Sequence, residues 1–462
     1  MSTTIERMVL SLGVLLRLYL AVVNAEANDN HLSVIRIIAD QHRLPRLGEN
    51  WEGFQPKLYH VSVALLWNLS PWQASGVRVR LAQLVSCAAG IATLFVIRRA
   101  LLRRRVSTSV KLLALALVAL NPTLIGLNAQ ATNDSFVILF GTLALASGCE
   151  FFETGTRRAF WLMTGSVVLA VLSKGNGLVI FGATTAMLLH AIVRRQEIAG
   201  PTRGQLTRTT ALFVAVVVIA VAALGSYRDN WEDTGNPFAI NIPRAPLPHL
   251  FERTYVYRSG ATSVVDTYFT FRLIDMLAHP ADTNDPAIYP LHRTSLWSQL
   301  YGRAHVAHFA QHPPSWQNTS FLSATVARLI LLLALLPTAL VVMGMTRTAM
   351  RLIGRTWRRR PPHPVSPANE LLAVTGVGFL IFLAVYTLWY RDFSTMKAEF
   401  IFPALLAYVC FFADETERTI EQHNPTASLR RAARWAYLVL LSLYVTDVVI
   451  LAIQLTLAIH ST

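Results

Sequence analysis

Five polar motifs interrupt an otherwise apolar chain, and their residue types suit proton transfer and anion binding. Glu26-Ala27-Asn28-Asp29-Asn30-His31 and Thr132-Asn133-Asp134-Ser135 supply carboxylates. Gln55-Pro56-Lys57, Ser173-Lys174-Gly175-Asn176 and the stretch from Arg391 to Lys397 supply cations. A carboxylate beside an acceptor hydroxyl takes its proton as a general base. A fixed cation offsets charge developing on a departing phosphate. Ionisable groups are expensive at membrane depth, so they usually face a cavity or the interface and often serve function. Two acidic motifs and three lysines meeting at one membrane face have the makings of an active site.

Each motif also has a plainer reading. Glu26 and Asp29 share a face if the first helix continues through them, and they are equally ordinary as a solvated helix end. Asn133-Asp134 opens a helix, where such residues cap backbone N–H groups; a helix N-terminus also favours anions, so capping and catalysis are compatible. Lys57 reads as a snorkelling interfacial lysine or as a counter-charge for phosphate. Lys174, Arg391 and Lys397 read as interfacial anchors or as part of the same cationic set.

The elements that must position these motifs follow from composition. The chain has 462 residues, 53% hydrophobic and 15% charged. Runs such as Leu206 to Tyr227, Ala324 to Thr346, Leu371 to Tyr390 and Trp435 to Ile459 reach the roughly 20 apolar residues that cross a bilayer. The expectation is an all-α polytopic membrane protein rather than a β-barrel, which would show alternating strands of about 10 residues. The net charge of +15 comes from arginine. Its short clusters at Arg98 to Arg105, Arg157-Arg158, Arg194 to Arg208, Arg347 to Arg360 and Arg430 to Arg434 read as cytoplasmic loops, not as a nucleic-acid site. Helices are then expected near 8–24, 77–97, 111–129, 136–150, 160–173, 177–193, 209–227, 322–345, 369–390, 398–413 and 435–458. That makes about 11 spans with the N-terminus inside. The apolar run from Met8 to Val23 is read as a retained first helix rather than a cleaved signal. Leu58 to Leu69 is too short to span and is expected as an outer-face or re-entrant helix.

This topology gathers all five motifs on the outer side. Of the four lysines, Lys57, Lys174 and Lys397 fall there and only Lys111 does not. That asymmetry points to a negatively charged ligand such as a lipid phosphate. Three units are expected: a transmembrane catalytic module over 1–227 that includes a first outer loop at 24–76, an outer loop or small cap over 228–321, and C-terminal helices over 322–462. Cys87, Cys149 and Cys410 lie in apolar segments, with no spacing for zinc or a disulfide framework. His305 and His308 have metal-binding spacing on a helix, but no carboxylate completes a site. Asn318-Thr319-Ser320 fits a glycosylation pattern weakly.

In this order the motifs resemble the GT-C superfamily of membrane glycosyltransferases, in the branch of protein O-mannosyltransferases and lipid A aminoarabinose transferases. Those enzymes carry an acidic motif after the first helix and a "P-P-L-Y" or "K-P" element, to which Phe54-Gln55-Pro56-Lys57-Leu58-Tyr59-His60 is similar. Asn133-Asp134-Ser135 resembles the second acidic motif, Ser173 to Gly177 the "T-K-x-x-G" turn, and Lys397 to Ala404 the late "R-Y-x-x-P-x" segment. The resemblance implies transfer of a sugar from a polyprenyl-phosphate donor to a lipid, glycan or protein acceptor. It places the reaction at the outer face of a bacterial inner (plasma) membrane, with inversion and with neither metal nor other cofactor.

By motif position Asp29 would be the base and Asp134 would orient the acceptor. Lys57, with Lys174, Arg391 or Lys397, would hold the phosphate. Glu26, Asn28, His31, Tyr59, His60 and Asn133 complete the candidate set. The family's Asp-Glu pair is replaced here by Asn28-Asp29-Asn30, which leaves Glu26 as a rival base, and the second outer loop is short for the branch. A lipid-linked sugar flippase is the main alternative; no internal repeat supports a transporter. An oligosaccharide ligase or polymerase is the third reading, carried by Arg244, Arg253, Arg258, Arg272, Arg293 and Arg303 in the second outer loop.

Overall fold

The computed structural model describes residues 3–24, 30–72, 74–194, 203–241, 250–256, 260–280, 291–307, 320–357, 366–423 and 426–461. The chain begins with α1 (Thr3–Val23), then two helices of the first outer loop, α2 (His31–Gln41) and α3 (Leu58–Leu69). A bundle follows: α4 (Ser75–Arg103), α5 (Thr108–Ala119), α6 (Pro122–Asn128), α7 (Asp134–Thr154), α8 (Arg157–Ser173), α9 (Gly177–Arg194) and α10 (Arg203–Leu224). The second outer loop holds α11 (Tyr227–Thr234), an antiparallel hairpin of β1 (Thr254–Val256) and β2 (Gly260–Thr262), then α12 (Val264–Tyr268), α13 (Leu273–Ala278) and α14 (Leu296–His305). The C-terminal helices are α15 (Phe321–Leu333), α16 (Leu335–Trp357), α17 (Pro367–Tyr390), α18 (Leu405–His423) and α19 (Ala427–Ser461).

Every expected span meets a helix, and among the described residues the fold is helical apart from the short hairpin. Among the described residues six helices are long and apolar enough to cross a membrane, or seven if the bent α5–α6 pair counts as one. The others are shorter or more charged. Large apolar side chains point outward along these helices, Ile219 being 66% and Leu457 66% exposed. So much exposed apolar surface is expected where the surrounding solvent is lipid. α3 is a short apolar helix, as its length required. The last outer turn departs from expectation: α18 starts at Leu405, and residues 398–404 form two short 3-10 turns instead.

The arginine-rich ends meet on one face. Arg98 pairs with Glu6, Arg104 with Asp414, and Arg347 with Glu415 at 3.0 Å. Ser107 donates to Glu417 at 2.6 Å. Helix ends from both halves of the chain thus lie together, opposite the polar motifs.

α5 and α6 are bent by 49°, because Pro122 cannot continue the ladder of α5. Asn121 caps the new helix by accepting from Leu124 N–H at 2.9 Å. The carbonyls left at the break are taken by an arginine from the middle of α1. Arg17 donates to Ala119 O at 2.6 Å, Val118 O at 3.4 Å, its own Gly13 O at 2.9 Å and Asn128 Oδ1 at 3.0 Å. Asn128 in turn donates to Ser135 Oγ at 3.0 Å. The buried charge of Arg17 therefore fixes the turn that leads into α7. Gly90 on α4 lets Asn128 in: a Cβ there would sit 2.1 Å from its side chain.

Candidate functional site

α7 begins at Asp134, and the capping expected there is not what these side chains do. Asn133, at the N-cap, makes no capping bond. Its amide donates to Gln55 Oε1 at 2.5 Å and to Ser173 O at 3.1 Å, tying the first outer loop to the α8–α9 turn. Asp134 receives Lys174 Nζ at 2.7 and 2.8 Å on its two oxygens, and Thr132 Oγ1 at 3.0 Å. Both partners are buried, Asp134 being 5% and Lys174 9% exposed. A charge taken that far from water needs a partner of this quality. Lys174 also lies 5.0 Å from the centre of the Phe400 ring, within cation–π range.

This pair forms part of the wall of a cavity of about 510 Å³. The cavity's charged lining is Glu52, Asp134, Lys174, Lys397 and Glu399. Lys397 lies 3.5 Å from Glu399, and Glu52 accepts from Gln55. Much of the remaining wall is aromatic. Phe382, Tyr386 and Tyr390 recur every fourth residue on α17 and so share one face; their rings lie 5.6 and 4.9 Å apart, with Phe400 5.7 Å from Tyr386. Phe238 and Trp51 face them from the outer loops. Gly141 on α7 lets the late segment close in, since a Cβ there would meet Pro403 O at 2.6 Å. Asn176 holds the same segment by donating to Phe400 O at 3.0 Å.

Lys57 stands behind this wall. Its ammonium donates to Gly53 O at 2.7 Å, to Gln55 O and to Ser226 Oγ at 3.3 Å, using all three donors within the chain. Burial pushes its pKa down to about 8, and Glu52 and Asp229 only partly offset that. Lys57 thus joins the first outer loop to the start of the second, and it does not line the cavity. Arg391 is also buried. It adopts a left-handed conformation at the end of α17, with φ of 30°, sparsely populated for a residue with a side chain. Its charge acts on Tyr268 of the second outer loop.

Tyr59 and the two histidines form a buried cluster beside Lys57. His31 Nδ1 and His60 Nε2 share a hydrogen bond at 3.0 Å, and Tyr59 donates to Ala82 O at 3.0 Å. Glu26, Asn28 and Asp29 lie outside the described residues. The residues flanking them are anchored: Asn24 donates to Ala129 O at 3.0 Å on the turn leading to Asp134, and His31 is held by His60.

The structure therefore brings Asp134, Lys174 and Lys397 to one cavity, with Asn133 tying its walls together. Glu52, Glu399 and the α17 aromatic face line the same cavity and were not among the residues expected there. The aromatic face had a sequence signal in its fourfold spacing.

His305 is hydrogen-bonded to Tyr444 at 2.6 Å and Thr338 at 2.9 Å, while His308 and Asn318 lie outside the described residues. The cysteines are free thiols. In the second outer loop Arg253 and Arg272 pair with Asp266 at 3.1 and 3.0 Å, and Arg303 donates to Gln299 at 2.8 Å. Arg293 is buried, and Arg244 and Arg258 are outside the described residues.

Residues 21–227, somewhat under half of the chain, match the family model of dolichyl-phosphate-mannose-protein mannosyltransferase. That match agrees with the resemblance read from the motifs over this stretch of the chain. No curated protein matches the chain. Among solved structures it is similar to the arabinofuranosyltransferase AftD from Mycobacteria, at 15% identity and a TM-score of 0.44, covering 99% of this chain and 27% of that one. It is similar to the oligosaccharyltransferase AglB from Archaeoglobus fulgidus at 14% identity and a TM-score of 0.46, covering 98% of this chain and 56% of that one. It is also similar to ArnT from Cupriavidus metallidurans at 14% identity and a TM-score of 0.38, covering 92% and 80%. The chain thus spans about a quarter to just over half of the length of the first two.

Proposed function

We propose that this protein transfers a sugar from a polyprenyl-phosphate donor to an acceptor hydroxyl at the extracytoplasmic face of a bacterial inner membrane. The observation that carries this reading is the buried Lys174–Asp134 pair in the wall of an aromatic cavity that also holds Lys397. Apolar and aromatic walls suit a lipid-linked sugar, and the lysines supply fixed positive charge for its phosphate. Asp29 takes the proton of the acceptor hydroxyl as general base. The acceptor oxygen attacks the anomeric carbon opposite the phosphate, the carbon–phosphate oxygen bond breaks, and the configuration inverts. Asp134 sets the position of Lys174, while Lys57 and Arg391 shape the walls from behind. This adjusts the expectation from motif order, in which Lys57 met the phosphate directly. The acceptor is a lipid, a glycan or a protein.

The test is transfer by purified protein from radiolabelled polyprenyl-phosphate hexoses and pentoses, with an envelope extract as acceptor source. Release of free polyprenyl phosphate coupled to acceptor labelling supports the reading, and the active donor names the sugar. Movement of labelled donor across liposomes with no release would replace the transferase by a flippase.

A further inference from the structure

A second cavity, of about 810 Å³, lies at the other end of α7. Asp134 and Glu150 are separated along that helix by roughly 24 Å, so the two cavities sit near opposite membrane faces. The rim of the second carries Arg99, Arg103, Arg104, Arg105 and Arg158, against Glu150, Glu153 and Asp414. Arg103 is occupied by Glu150 at 2.5 Å, and Arg104 by Asp414 and by Asn369 at 2.6 Å. Arg99 and Arg158 stand near Glu150. Neither they nor Arg105 is hydrogen-bonded among the described residues, and all three are exposed.

Below the rim the lining changes character. Phe95, Leu143, Ala146 and Leu162 make an apolar slot, backed by the buried Leu372 and Leu406. Phe95 lies roughly 12 Å along α4 from Arg103. It is 51% and Leu162 is 42% exposed, so the slot opens sideways toward lipid. A soluble phosphate compound has no use for such a slot, and a neutral lipid has no use for a rim with three exposed arginines.

We propose that this cavity binds an anionic phospholipid from the leaflet on the arginine-rich face. Its phosphate is held by Arg99, Arg105 and Arg158, and an acyl chain lies in the slot between Leu143 and Leu162. Basic pockets between membrane helices recognise anionic headgroups in this way.

The experiment equilibrates the full-length protein in detergent with fluorescent phosphatidylglycerol or phosphatidylcholine of the same chain length. Wild type should bind the anionic lipid roughly a hundredfold more tightly. The triple variant Arg99→Gln/Arg105→Gln/Arg158→Gln should lose roughly a hundredfold in that affinity and approach the zwitterionic value. Leu143→Trp, which fills the slot and leaves the charges alone, should weaken phosphatidylglycerol binding too. Equal binding of both lipids by wild type overturns the proposal without recourse to any variant. So does a folded triple variant that binds as wild type does, or displacement of the lipid by millimolar inorganic phosphate.

Discussion

Lys174 and Asp134 lie 40 positions apart, yet the ammonium sits 2.7 and 2.8 Å from the two carboxylate oxygens. The pair joins the α8–α9 turn to the start of α7 and gives the cavity a fixed ionic wall. Removing one partner leaves the other charged and buried, which costs about 3–5 kcal/mol. Lys174→Met should therefore lower the apparent melting temperature in detergent sharply. The double variant Lys174→Met/Asp134→Asn should recover part of that loss. Strictly additive losses would contradict the coupling.

Lys57 makes stability depend on pH. Its folded pKa of about 8 lies below the 10.5 of an ordinary lysine, so between those values the unfolded chain binds more protons. Stability then rises with pH across that window. The full effect is about 3 kcal/mol. Melting curves of wild type and Lys57→Met from pH 7 to 10 isolate it. The wild type should gain on the variant as pH rises through 8, and parallel curves would contradict the burial of a protonated amine.

Gly90 makes room for Asn128, which links Arg17 to Ser135. Gly90→Ala forces Asn128 aside and should cost about 1–3 kcal/mol; under the proposed function it should also reduce transfer, because the turn before Asp134 shifts. Thermal unfolding and a transfer assay on the same preparation check both effects. Unchanged values in both would show that the turn is held by something else.

Tyr386 sits among Phe382, Tyr390 and Phe400 in the cavity wall. Under the proposed function Tyr386→Ala should raise KM for the lipid-linked donor about tenfold with a smaller change in kcat, since it removes ring packing worth of order 1 kcal/mol. A fall in kcat with KM unchanged would assign the ring to the reaction rather than to binding.

Much of this architecture was legible in the chain. The arginine clusters defined one face because charge near a span end is sorted by the membrane, and the ion pairs among those ends agree. Leu58 to Leu69 declared itself by length. Asp134, Lys174 and Lys397 could be grouped because the topology placed their turns on one side. What was hidden depended on tertiary contact. Lys57 looks the same in sequence whether its ammonium meets a ligand or three partners in its own chain. Arg17 did have a signal, a charge inside an apolar run, but its partners at the α5–α6 break are over 100 positions away. Glu52 and Glu399 became visible as cavity residues only once their loops were folded over it.

The most direct test of the central proposal is donor turnover by Asp29→Asn. Purified wild type and variant are given the active polyprenyl-phosphate sugar and acceptor, and both donor binding and released polyprenyl phosphate are measured. Loss of a general base should lower turnover by about 10²–10⁴-fold with donor affinity preserved. Full turnover in the variant would contradict the assignment of Asp29 as the base.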